Sequence, residues 1–288
     1  MSQVVLITGC STGIGRDLVQ QLKRANHTVV ATARQIEALV DLPADLKLPL
    51  DVAQPESIAV AVEITLQHFG RIDVLVNNAG YAVPGAIEEI SDERLQQLFD
   101  VNVFGAVRML RAVLPIMRQQ RAGRIINLSS IAGRFAAPVD GLYSASKFAL
   151  EALSDALRLE VLPYGIHVVL IEPGPIRTEF AHTALVQSNG LLTNETSPYH
   201  TLYENYLHTL PVMRRSEPGP EVVARAIQRA IETPHPKARY LVATPFIIRL
   251  LFHAGPSVRD AVLKRLFKIG AVGKDTAQGA LVNAVIEL

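Results

Sequence analysis

Short apolar runs alternate along the 288-residue chain with longer stretches in which apolar residues recur every three or four positions. Val4–Ile7 is apolar and mostly β-branched, which suits a buried strand. The turn Thr8-Gly9-Cys10-Ser11-Thr12-Gly13-Ile14-Gly15 follows it, and Ile14, Leu18 and Leu22 then mark one face of a helix closing at Ala25-Asn26. Residues 28–32 read as a second strand, completing a βαβ unit. A weaker third strand covers 46–50. Pro55 opens a helix with Ile58, Val62 and Leu66 on one face, and Gly70 ends it. A fourth strand at 72–76 runs into Asn77-Asn78-Ala79-Gly80. Ser91 and its acidic followers open a helix that runs, with a bend, to about Gln120. A fifth strand at 124–128, a helix that ends near 163–165 and a sixth strand at 167–171 continue the series. The alternation lapses over 180–220, a polar stretch that reads as a lid or binding loop. A helix at 220–231 and a seventh strand at 239–243 restore it. The tail offers two helical stretches, 246–254 and 257–269, best read as covering the core.

Strands that are apolar on both faces and separated by helices predict a parallel sheet covered on each side. Ligands of such sheets bind beyond the carboxyl ends of the strands. The Gly-rich turn, Asp51, Asn78, Ser130 and Pro173-Gly174 each follow a strand, so all fall on that edge.

Composition narrows the function. Apolar residues make up 49% and charged residues 19%, which excludes a disordered chain. A net charge of +1 with no basic run gives no nucleic-acid footprint. The single cysteine, Cys10, excludes an internal disulfide and a multi-cysteine metal site, and no histidine pair shows ligand spacing. His182, His200 and His208 read as surface residues of the 180–220 stretch, so no metal is expected. The N-terminal apolar run is too short for a signal peptide, and no segment supplies the ~20 apolar residues of a membrane span. A soluble, cytoplasmic protein is expected.

The chemistry gathers at two places. Tyr143 and Lys147 stand four residues apart, so a helix puts them on one face. A phenol with an ordinary pKa of ~10 is a poor acid near neutrality. A nearby ammonium lowers that value, making the pair a proton donor with its tuner. Gly9, Gly13 and Gly15 allow a tight turn and close approach of a pyrophosphate to a helix N-terminus. At the end of the second strand, where an acid would bind the ribose of NAD, the chain has Ala33 and Arg34. A guanidinium there can pair with a 2′-phosphate, so the expected cofactor is NADP(H).

With these residues the chain resembles the short-chain dehydrogenase/reductase family over about residues 3–245. The turn, with Gly9, Ser11, Gly13, Ile14 and Gly15, looks like that family's cofactor turn. Asp51-Val52 resembles its adenine-contacting pair, and Asn78-Ala79-Gly80 the motif beside the cofactor. Pro173, Gly174, Ile176 and Thr178 resemble its nicotinamide-side motif. Ser130, thirteen residues before Tyr143, has the family's serine spacing, with Ser129 the competing serine. Asn102 matches the asparagine of the preceding helix. The resemblance implies a Rossmann-type doubly wound α/β sheet of about seven strands, in the order 3-2-1-4-5-6-7. It implies one domain, with residues 1–245 binding the dinucleotide and carrying catalysis and 246–288 forming a helical extension. It further implies that Tyr143 is the acid/base, that Lys147 tunes it and holds the nicotinamide ribose, and that Ser130 stabilises the substrate oxygen. Asn102 would hold a water linking Lys147 to solvent.

The implied activity is carbonyl/alcohol oxidoreduction with NADP(H) on a small-molecule substrate. The turn, the Ala31-Thr32-Ala33-Arg34 sequence and the long tail look most like hydroxysteroid- and retinol-dehydrogenase-type members, hence a lipophilic substrate. A homo-oligomer, dimer or tetramer, is implied through the long helices flanking the fifth strand. A non-catalytic NADP(H)-binding redox sensor is the main rival, and a complete set of Asn102, Ser130, Tyr143 and Lys147 argues against it. A sugar-nucleotide epimerase would space its glycines differently.

Overall fold

The structure is a computed structural model that describes residues 2–214 and 217–270. Seven parallel strands form one sheet in the order β3-β2-β1-β4-β5-β6-β7. They are β1 (Val4–Ile7), β2 (Thr28–Ala33), β3 (Leu46–Pro49), β4 (Val74–Asn77), β5 (Gly123–Leu128), β6 (Ile166–Pro173) and β7 (Arg239–Val242). The order reverses between β1 and β4, which opens a crevice at their carboxyl ends.

Side chains alternate across the sheet with the period of two that a strand imposes. Val5, Ile7, Val29, Val74, Val76 and Ile126 face one layer. There they meet Leu18, Val19 and Leu22 of α1 (Gly13–Arg24) and Val223, Ala224 and Ile227 of α8 (Glu221–Glu232). Val4, Leu6, Val30, Leu75, Ile125 and Val168 face the other layer. That layer is filled by Ile58 and Val62 of α2 (Pro55–Phe69), Met109, Val113 and Met117 of α4 (Ala106–Gln120), and Leu157 of α5 (Gly141–Glu160).

The helix expected from Ser91 to Gln120 is divided. α3 (Asp92–Phe99) passes into a π-helical segment, Asp100–Gly105, before α4 begins. The expected bend is therefore a wider turn, centred on Asn102 and Val103. Its last residue packs closely on Val52: a β-carbon on Gly105 would lie 2.8 Å from the Val52 side chain.

The 180–220 stretch is not an open loop. It forms α6 (Phe180–Gln187) and α7 (His200–Arg214), joined through a short 3-10 turn. Its periodicity is hard to read because its apolar residues do not face the sheet. Leu192, Tyr203 and Tyr206 build a separate small cluster with Ala86, Val139 and Phe267. Polar bonds hold this lid down. Tyr203 Oη accepts from Ala86 N at 2.9 Å and bonds Glu89, Ser197 donates to Glu89 at 2.7 Å, and Tyr199 bonds Glu88. The tail continues as α9 (Phe246–His253) and α10 (Pro256–Leu266). Phe267, just beyond α10, stacks on Tyr206. The rest of the expected extension, 271–288, lies outside the described residues. Among the described residues no helix is long and apolar enough to cross a membrane.

Candidate active site

The turn after β1 is built for backbone to come close. Gly9 and Gly13 adopt left-handed conformations, with φ of +73° and +57°. A β-carbon on Gly15 would lie 2.4 Å from Gly9 O and 2.5 Å from Asn78 Nδ2. The turn delivers the N-terminus of α1, where Thr12 makes no side-chain cap and the first turn holds no acidic residue. The free N–H groups and the positive end of the helix dipole are therefore suited to an anion. These features fit a dinucleotide pyrophosphate.

Asn78 and Thr8 stitch this turn to the loop after β4. Asn78 Nδ2 donates to Thr8 O and Gly9 O at 2.9 and 2.8 Å. Thr8 Oγ1 accepts from Asn78 N and Ala79 N at 3.0 and 3.1 Å. From β6, Thr178 lies against Gly13, Gly174 presses on Ala243 O, and Ile176 packs on the core. Pro173 ends β6 and is buried. Arg34 is exposed just past the end of β2, and Ser11 is partly exposed in the Gly-rich turn. Asp51 Oδ1 accepts from Ala53 N at 2.9 Å, so this carboxylate organises its own turn. The Val52 side chain points inward to Gly105, and its carbonyl accepts from Arg108 Nη1 at 3.4 Å.

Tyr143 and Lys147 lie one turn apart in α5, with Lys147 Nζ 5.7 Å from the Tyr143 ring centroid. Lys147 is buried and donates to Leu128 O at 2.8 Å. Burial pushes the Tyr143 phenol up from its ordinary value, and the Asp140 carboxylate adds to this; the Ser130 hydroxyl beside it acts the other way. Burial holds the Lys147 ammonium down to about 8, opposed by Glu151. The expectation that Lys147 lowers Tyr143 is thus outweighed in the protein alone by desolvation of both groups. The resting phenol is neutral, the form that can give a proton. Ser129, by contrast, is buried beside Gly133 and Glu151, where its hydroxyl has no hydrogen-bond partner among the described residues.

Asn102 joins the two halves of the site. Its Oδ1 accepts from Tyr81 N at 3.0 Å, and its Nδ2 donates to Tyr81 O at 2.9 Å and to Ser146 Oγ at 3.1 Å. Ser146 in turn donates to Tyr143 O at 2.7 Å. Gly80 sits between Asn102 and Lys147: its β-carbon would be 3.1 Å from Asn102 Oδ1 and 3.7 Å from Lys147 Nζ.

Sequence reasoning passed over several residues here. Thr8 and Ser146 lie inside quoted motifs, and their hydroxyls are recognisable only once their partners are placed. Glu151, one turn beyond Lys147, belongs to an ion-pair network: Arg239 reaches Glu151 at 3.1 Å, Asp155 at 2.6 Å and Glu172 at 3.0 Å. Phe180 of the lid sets its ring 5.7 Å from that of Tyr143. Among the described residues no group of His, Cys, Asp and Glu side chains could hold a metal.

The Gly-rich turn, Ser130, Tyr143 and Lys147 thus share the carboxyl edge of a Rossmann-type sheet. The family model described as short chain dehydrogenase matches residues 3–188, and the chain belongs to that family. It is 37% identical over 259 residues to human 17-beta-hydroxysteroid dehydrogenase type 1, spanning 85% of this chain and 78% of that protein. It is 36% identical to a 3-ketodihydrosphingosine reductase of Bacteroides thetaiotaomicron, spanning 87% and 90%, and 36% identical to human retinol dehydrogenase 8, spanning 82% and 80%. Two similar crystal structures are family members at 25% identity. One, from Burkholderia phymatum with NAD, has a TM-score of 0.71 and covers 97% of this chain and 98% of that one. The other, from Burkholderia cenocepacia with NADP, has a TM-score of 0.70 and covers 92% and 97%. The protein is therefore an oxidoreductase with a nicotinamide dinucleotide cofactor.

The cradle gives a direct test. Gly15→Ala should raise the Kd for NADPH, followed by nucleotide fluorescence, by about tenfold or more, because the added carbon meets main chain that cannot yield. Unchanged affinity would mean that the turn does not bind the cofactor.

Proposed function

We propose that the protein interconverts a carbonyl and an alcohol on a lipophilic small molecule, using NADP(H). The observation that carries this reading is the placing of Ser130, Tyr143 and Lys147 together at the sheet edge beside the Gly9–Gly15 cradle. When bound, the dinucleotide supplies or accepts a hydride. In reduction, Tyr143 gives its phenolic proton to the substrate oxygen; in oxidation, the phenolate takes it back. Ser130 donates a hydrogen bond to that oxygen as charge develops. Lys147 holds the nicotinamide ribose with Tyr143 and keeps a positive charge near the phenolate. A cavity of about 10 Å³, lined by Thr8, Asn77, Asn102 and Lys147, supports a water relay. The Asn77 Oδ1 atom, buried without a partner, would accept from that water.

Arg34 supports NADP(H). It is exposed at the end of β2, and no carboxylate stands at 33 or 34 to repel a 2′-phosphate. Exposed Phe180, whose ring stands 5.7 Å from that of Tyr143, supports a lipophilic substrate. The printed names of the relatives, which refer to a hydroxysteroid, a ketodihydrosphingosine and retinol, point the same way. A homo-oligomer formed through α5 is supported by its outer face, where Ala145, Phe148, Ala152, Ala156 and Leu159 are exposed at helical spacing.

Three outcomes are expected. Tyr143→Phe should lower kcat by about a thousandfold, the range of a lost general acid, while NADPH still binds; near-normal turnover would sink the scheme. Arg34→Asp should invert the NADPH/NADH ratio of kcat/KM, and an unchanged ratio would remove the basis for the NADP(H) preference. Phe148→Glu should shift the sedimentation coefficient of the oligomer to that of a monomer. A wild-type protein that already sediments as a monomer would contradict the α5 interface.

A further inference from the structure

Glu172 precedes Pro173 at the carboxyl end of β6, and it is 1% exposed. Two cations from different elements reach its carboxylate. Arg134 Nη1 donates to both oxygens at 3.3 Å, and Arg239 Nε of β7 pairs with Oε1 at 3.0 Å. A buried ion pair seldom stabilises a fold more than apolar side chains of the same volume would. What it does fix is direction, because the planar fork of a guanidinium meets a carboxylate in few orientations.

Each cation leads to one of the reacting groups. Arg134 closes the 3-10 turn Ile131–Gly133, which begins at Ser130: Gly133 N donates to Ser130 O and Arg134 N to Ile131 O, both at 2.9 Å. Within that turn Ser130 Oγ accepts from Ala132 N at 3.1 Å, which leaves the hydroxyl proton for another acceptor. Arg239 leads to α5, where it donates to Glu151 at 3.2 Å and to Asp155 at 2.6 Å, one and two turns beyond Lys147. The turn and the helix also touch. A β-carbon on Gly133 would lie 2.8 Å from Ser129 Oγ, 3.0 Å from Glu151 Cγ and 3.2 Å from Lys147 O. Among the described residues Glu172 is the only carboxylate with which both arginines pair.

A substrate oxygen at this site has to meet two donors, Ser130 and Tyr143, that stand on separate elements. Misplacing such a group by about 1 Å costs about a hundredfold in rate. We propose that Glu172 is a positioning residue that sets the Ser130 hydroxyl against the Tyr143 phenol, holding the serine turn through Arg134 and the tyrosine helix through Arg239. Its carboxylate is taken up by the two arginines, so it acts through Ser130 and not on the substrate itself. This role rests on the carbonyl-reductase reading above and extends it to a residue outside the reacting set.

The test follows NADPH oxidation with estrone, all-trans-retinal and decan-3-one, and uses the carbonyl that the wild-type protein reduces fastest. Glu172→Gln keeps the shape of the side chain and removes its charge. It should lower kcat by about tenfold while the Kd for NADPH stays within about twofold of the wild-type value. In a Ser130→Ala background the same substitution should lower kcat by less than about twofold, because the hydroxyl that it positions is gone. Arg134→Gln breaks the same link from its more exposed side and should repeat the pattern if Glu172→Gln does not fold. An unchanged kcat in Glu172→Gln, or in Arg134→Gln where the first variant does not fold, overturns the role. So does an equal loss with and without Ser130, the result that a merely structural contribution gives. No NADPH oxidation with any of the three carbonyls overturns the carbonyl-reductase reading, and the role of Glu172 with it.

Discussion

The reciprocal bonding of Thr8 and Asn78 is the interaction on which the site depends. β1 and β4 are neighbours in the sheet, but their loops leave in different directions. One side-chain amide takes two carbonyls of the first loop, and one hydroxyl takes two N–H groups of the second. These loops line the crevice at the strand-order reversal, where buried main-chain groups without partners would be costly. The stitch satisfies them and leaves no room for a β-carbon at Gly15. The glycine spacing and the asparagine are thus two halves of one constraint, although they stand far apart in the chain.

The same sheet edge carries the reacting groups on a helix that is anchored at several depths. Lys147 is bonded to the last residue of β5, Asn127 donates to Ser154 at 2.8 Å, and Arg239 ties Glu151 and Asp155 to Glu172. α5 cannot slide without breaking buried polar bonds, each with a penalty of about 1–3 kcal/mol if left unmade. Rigid placement matters because desolvation, more than the mutual attraction of phenol and ammonium, sets the resting protonation of Tyr143 and Lys147. Burial that keeps the phenol neutral also strengthens every charge interaction a ligand would make there.

The lid is built on a different principle. Its helices contribute little to the two sheet layers and form their own small cluster, held by tyrosine hydroxyls on Glu88, Glu89 and Asp140. The tail adds Phe267 to the same cluster, so the two segments pack together.

The sequence by itself determined the sheet, because strands buried on both faces leave short continuous apolar runs and helices buried on one face leave a period of 3.6. It also determined which residues stand at the carboxyl edge, because each followed a strand: the glycine turn, Asn78, Ser130 and the Tyr143–Lys147 pair were legible for that reason. Only the tertiary structure decided the rest. The π-turn at Asn102 ends where Gly105 meets Val52, a contact between distant segments. The helices at 180–220 bury their apolar residues against each other and the tail, so no sheet-facing period marks them. Asp140 looks like an ordinary helix cap in the sequence. It meets the Tyr206 hydroxyl only because Val139 turns the backbone and Tyr206 arrives from another helix, and the chain has no local pattern for such a long-range meeting.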